Sequence, residues 1–227
     1  MRQCNLIKGD MKFQYKYGFY FLYIILVILY VFALSLLKGV VRESTGLVMI
    51  FSDPATMGLF FMGAMILLEK SEHITNSFAI SPVSINEYII SKVVSIGLIS
   101  VLAGLILAVY SVKNNYLVTI LVLFLSSAFF SLCGLIVGAN IRSINQYIIA
   151  TVPFELFSFI PMILFLVMPH NPVLLIHPCY AMITLLAGQY EYVPAAFVSI
   201  ICWIFGAYLL AKHSVTVMFY KLGGVKL

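Results

Sequence analysis

The chain has 227 residues, of which 63% are hydrophobic and 9% charged, with a mean hydropathy of +1.10. A soluble domain of this length needs far more charge to cover its surface, so a water-soluble globular fold is excluded. The net charge of +5 is spread between apolar runs, which argues against nucleic-acid binding.

In chain order, Leu6–Tyr17 comes first. Leu6, Ile7, Met11, Phe13 and Tyr17 alternate with Lys8, Asp10, Lys12 and Lys16, the pattern of a helix lying at a membrane surface. The first long apolar run starts near Phe19 and lacks a small-residue cleavage site after it, so no cleaved signal is expected. Crossing the hydrocarbon core takes about 20 apolar residues. Six stretches are predicted as spans: Phe19–Leu37, Ala55–Leu68, Val93–Val112, Leu117–Ala139, Tyr147–Met168 and Pro194–Ala211. The second is short, and either continues into the flank at Glu69 or is fed by Leu47–Phe51.

Basic residues orient these spans. With the N-terminus inside, ten lie on the cytoplasmic side (Arg2, Lys8, Lys12, Lys16, Lys70, Lys92, Arg142, Lys212, Lys221, Lys226) and three outside (Lys38, Arg42, Lys113). Tyr15, Tyr17, Tyr20, Tyr110, Tyr116, Tyr147, Tyr190 and Tyr192 fall near the predicted interfaces, as an aromatic belt would.

Three connecting segments stand out. Gly39–Asp53 reads as an outer loop ending in Asp53-Pro54, a helix cap followed by proline at the first helical position. Residues 69–92 form the longest polar stretch. Ser81-Pro82 breaks it, Ser84 and Glu87 form a capping box that starts the next helix, and Ile74 and Phe78 lie one turn apart on a short helix. Residues 169–193 carry Pro169, Pro172 and Pro178 and then Ala181–Ala187, too short to cross, which reads as a re-entrant or interfacial half-helix.

No catalytic or metal pattern emerges. His73, His170, His177 and His213 form no HExxH, and Cys4, Cys133, Cys179 and Cys202 form no CxxC. There is no GxxxxGK[ST], so any ATP hydrolysis belongs to another polypeptide. Small residues at helical spacing mark Gly97, Ser100, Gly104 and Ala108 in the third span, and Ser127, Ser131, Gly134 and Gly138 in the fourth. They read as packing of this helix pair within one subunit rather than as a dimer interface. Glu155 is the clear ionisable residue inside a span, flanked by Pro153 and Pro161. It either lines a substrate path or acts in a switch, or is a hydrated carboxylate near the interface.

Leu6-Ile7-Lys8-Gly9-Asp10 through Tyr17-Gly18-Phe19-Tyr20 resembles the N-terminal elbow of type-two ABC export permeases. Phe51-Ser52-Asp53-Pro54, leading to Leu67-Leu68-Glu69-Lys70, resembles their second span. Ser81-Pro82-Val83-Ser84 with Glu87-Tyr88-Ile89 and Ser91-Lys92 resembles the segment after their coupling helix. The likeness runs along nearly the whole chain and is greatest to bacterial permeases labelled fluoroquinolone-export-like. Ile74-Thr75 stands where that family often has Gly-Thr.

The resemblance implies an all-α membrane protein: an elbow helix over residues 1–18, a six-span permease domain over 19–212 and a cytoplasmic tail over 213–227. It implies export of a hydrophobic or amphipathic small molecule across a bacterial plasma membrane, with both termini cytoplasmic. The partners would be a second permease subunit and a separate P-loop ATPase that holds ATP and Mg2+; no cofactor is expected in this chain. The ATPase would dock on Glu69, Glu72, Ile74, Thr75, Phe78 and Ser81, with Ile74 and Phe78 as the inserted face. A non-transporting membrane scaffold or immunity-type protein, and a membrane enzyme, are the rival readings.

Overall fold

The computed structural model describes residues 2–52, 57–111 and 115–222, and within these the chain is helical with no strand. Asp53, Pro54 and Lys113 lie outside the described residues. The helices are α1 (Arg2–Lys16), α2 (Phe19–Ser35), α3 (Gly39–Ile50), α4 (Met57–Ser71), α5 (Ile74–Ala79), α6 (Ile85–Ser111), α7 (Tyr116–Asn140), α8 (Ile144–Val167), α9 (Pro178–Leu186) and α10 (Val193–Leu222). A 3-10 turn, Pro172–Ile176, precedes α9.

Among the described residues four helices, α6, α7, α8 and α10, are long and apolar enough to cross a membrane. The bent pair α1 and α2 makes a fifth candidate, with 67° between its halves. The bend sits at Gly18, whose φ of +75° lies in the left-handed region that a side chain disfavours. At 15 residues, α4 is about 22 Å long, short of a full crossing by itself.

α7 is the axis of the bundle. α4, α6, α9 and α10 pack around it, while α1, α2 and α3 pack on α6. α6 opens with the expected capping box: Ser84 N–H donates to Glu87 Oε2 at 2.9 Å, and Glu87 N–H to Ser84 Oγ at 3.3 Å.

Two predicted loops are helices. Gly39–Ile50, expected as an outer loop, buries Gly46, Leu47 and Ile50 along one face, and α3 packs on α6. The predicted tail 213–227 continues α10 through Leu222, because Ser214, Val215 and Met218 bury on the bundle. Tyr147, expected in an aromatic belt, is buried instead. Its hydroxyl donates to the Leu59 carbonyl at 2.6 Å across Gly63, where a Cβ would strike the ring.

Candidate functional site

α1 and α6 run side by side and meet through polar residues. Gln3, Asp10 and Gln14 recur at steps of seven and four, so they share one face of α1. Gln3 Nε2 donates to the Glu87 carbonyl at 3.1 Å, and Gln14 Nε2 to Ser95 Oγ at 2.8 Å. Arg2 pairs with Glu87 at the exposed edge of this seam.

Lys92 sits at the centre, fully buried. Its Nζ donates to Asp10 Oδ1 at 3.2 Å and to Glu69 Oε1 at 2.5 Å. Tyr88, one turn earlier on α6, donates to Glu69 Oε2 at 2.8 Å, and its ring centroid lies 4.5 Å from Lys92 Nζ. Four buried side chains thus tie α1, α4 and α6 together. Burial pushes the Glu69 carboxyl, one residue past the predicted second span, above its usual range; Lys92 and the Tyr88 hydroxyl pull the other way.

Helix α5 leans on this cluster. His73, at φ +58°, ends the turn out of α4, and Thr75 is buried. The Phe78 ring packs edge-on against Tyr88 at 5.2 Å, and Tyr88 against Phe219 of α10 at 5.1 Å. Ser81 Oγ donates to the Phe78 carbonyl at 2.9 Å and closes the segment.

The two residues expected as the inserted face, Ile74 and Phe78, are both half-buried. Phe78 packs on its own bundle at Tyr88. The solvent face of this segment is Glu72, His73, Asn76, Ser77 and Ile80, with Ile80 88% exposed. Glu69, expected to dock a partner, is buried with Lys92.

The small-residue stripes divide between two neighbours. A Cβ at Gly97 would meet Phe124 at 2.8 Å, and one at Gly104 would meet Leu123 at 2.7 Å, so these glycines seat α6 on α7. Ser127 Oγ donates to Ser100 Oγ at 3.0 Å across the same pair. Gly134 and Gly138 face α4 instead: a Cβ at Gly134 would lie 2.4 Å from the Leu59 carbonyl oxygen, and one at Gly138 would lie 3.3 Å from Ile66. Ser131 abuts Gly58 of α4.

Lys70 reaches over the end of α7. Its Nζ donates to the carbonyls of Gly138, Ala139 and Ile141 at 2.7–2.8 Å, filling acceptors that a helix end leaves open. Burial first, then Arg142 and Lys221, pull the Lys70 ammonium down to about 8.

Glu155 is half-buried on α8 and makes no hydrogen bond or ion pair among the described residues. Its neighbours Pro153, Phe154 and Phe157 face an apolar cleft of about 660 Å³ between α7, α8 and α10. Phe129, Cys133 and Trp203 complete the wall, and Trp203 Nε1 is committed to the Ile176 carbonyl at 2.9 Å. Helix α9, all nine residues buried, packs on α7, α8 and α10, with its N-cap His177 ring 4.1 Å from Phe157. The free thiols of Cys133 and Cys202 line this cleft. Among the described residues no group of His, Cys, Asp and Glu is arranged to hold a metal.

Sequence reasoning missed the Asp10–Glu69–Lys92–Tyr88 cluster. Glu69 and Lys92 read as charges flanking a polar loop, and nothing local signals that they close on each other. The available signal was Tyr88 and Lys92 one turn apart at the start of a long, largely apolar helix. No family model, no curated protein and no solved structure matches the chain.

Proposed function

We propose that the chain is the permease subunit of an ATP-driven ABC exporter, moving a hydrophobic or amphipathic small molecule out of the cell by alternating access. In this reading α2, α4, α6, α7, α8 and α10 are the six spans, α1 is a cytoplasmic elbow and α9 a re-entrant half-helix on the outer side. The excess of basic residues on one side of the spans supports that orientation.

The observation that carries the proposal is the seating of α5. A six-residue helix between α4 and α6 keeps an exposed face of Asn76 and Ser77 beside Ile80, while its other side rests on Tyr88. Tyr88 bonds the carboxylate that Lys92 and, through it, Asp10 share. A push on α5 from a docked ATPase therefore reaches α1, α4 and α6 through bonded, buried groups rather than through a slack loop. In this reading the apolar cleft of α7, α8 and α10, of the size small ligands use, receives the substrate. Glu155, next to Phe154 of that wall on α8, is the polar group at hand for a switch as α8 moves.

The test is co-expression with the P-loop ATPase encoded beside this chain. The two should co-purify, hydrolysis should follow the partner alone, and membrane vesicles should accumulate an apolar dye only with ATP and both chains. Hydrolysis by the lone chain, or no association with any neighbouring ATPase, would sink the reading.

A further inference from the structure

The cluster of Asp10, Glu69 and Lys92 does not balance. Two carboxylates face one ammonium, all three at least nine-tenths buried. Tyr88 supplies a neutral hydroxyl, and the aromatic residues beyond it, Phe78 and Phe219, carry no charge. The nearest other ion pairs, Arg2–Glu87 and Lys16–Glu72, are each self-compensated and more exposed.

A second observation points to the same place. Asp10 Oδ2 and Gln14 Oε1 are both buried and both lack a hydrogen-bond partner. They sit one turn apart on the face of α1 that meets α6, where Asp10 holds Lys92 and Gln14 holds Ser95. Both acceptors belong to side chains on the seam face of α1, and the cluster there carries one uncompensated negative charge. Buried acceptors and buried charges are stable only when something answers them.

We infer that the α1–α6 seam binds one monovalent positive charge, a proton or an alkali cation, between Asp10 Oδ2 and Gln14 Oε1. A proton held at this point of the seam supplies the missing donor. An alkali cation is coordinated by both oxygens. Either brings the cluster to neutrality and satisfies both orphans at once. Without it, the excess charge works against keeping α1 seated, so occupancy of this site controls docking of α1 on α4 and α6. The inference rests on these residues and stands apart from the transport reading.

The test is hydrogen exchange of the α1 amides in the purified full-length protein. Wild type is compared with Asp10→Asn at each condition, so that the intrinsic pH dependence of exchange cancels. The Asn amide keeps the side-chain volume, removes one negative charge and leaves Lys92 paired with Glu69. Glu69→Gln, which neutralises the cluster from the other carboxylate, is the second comparator should Asp10→Asn fail to fold.

One series runs from pH 5.5 to 8.5 without alkali cations; another titrates Na+ or K+ at pH 8.5 and constant ionic strength. A proton predicts that wild-type exchange, relative to the variant, rises up to tenfold per pH unit. An alkali cation predicts that the same ratio falls up to tenfold per decade of Na+ or K+. A ratio flat in both series overturns the inference and leaves a neutral water or a turned Gln14 amide at the seam.

Discussion

Lys92 Nζ donates to Asp10 Oδ1 at 3.2 Å, joining residues 82 positions apart at the centre of a seam between α1 and α6. Removing only the ammonium leaves Asp10 and Glu69 buried with no counter-charge. Lys92→Met should therefore destabilise the protein by about 3–5 kcal/mol, the range for breaking one side of a buried ion pair. Combining it with Asp10→Asn and Glu69→Gln should recover most of the loss. Thermal unfolding in detergent reads both; a single variant as stable as wild type would show that the cluster is not formed.

Gly134 holds α7 against α4. A Cβ there meets the Leu59 carbonyl oxygen at 2.4 Å, a backbone atom that cannot rotate away. Gly134→Val should lower stability by about 1–3 kcal/mol or more through overpacking. Gly206→Ala, where a new Cβ meets nothing within 4 Å, should be close to neutral in the same unfolding assay.

The two sides of α5 should separate stability from partner binding. Phe78→Asp removes a ring packed on Tyr88 and should lose on the order of 1.5–3 kcal/mol of burial. Ile80→Asp alters a side chain 88% exposed and should leave the unfolding temperature unchanged while weakening capture of the ATPase. If Ile80→Asp binds the ATPase as wild type does, this face is not the docking surface.

Topology is checked by cysteine labelling in a variant stripped of its four native cysteines. A cysteine at Ser77 should react from the cytoplasmic side and one at Gln189 from the outside. Reaction of both from one side contradicts six spans.

Glu155→Gln keeps volume and removes charge on α8. If Glu155 serves a path or switch, transport should change while assembly with the ATPase is retained. Unchanged transport across pH returns it to a hydrated carboxylate.

The all-helical membrane class was decided by the sequence alone, because a run of apolar residues long enough to cross lipid is a local property. The same holds for the start of α6, since Ser84 and Glu87 bond within three residues of each other. α3 and the last turns of α10 could not be read, because their helicity depends on faces that bury only once α6 and α7 are in place. The fourth-span glycines were visible as a close-packing stripe; which helix they receive was not, and α4 rather than α6 fills Gly134 and Gly138. Charge was the hardest to place. Glu69 and Lys92 look like surface residues of a polar loop until α1 folds back beside α6. Only tertiary structure decides whether a charge meets water or a buried partner, because that partner is supplied by a helix distant in sequence.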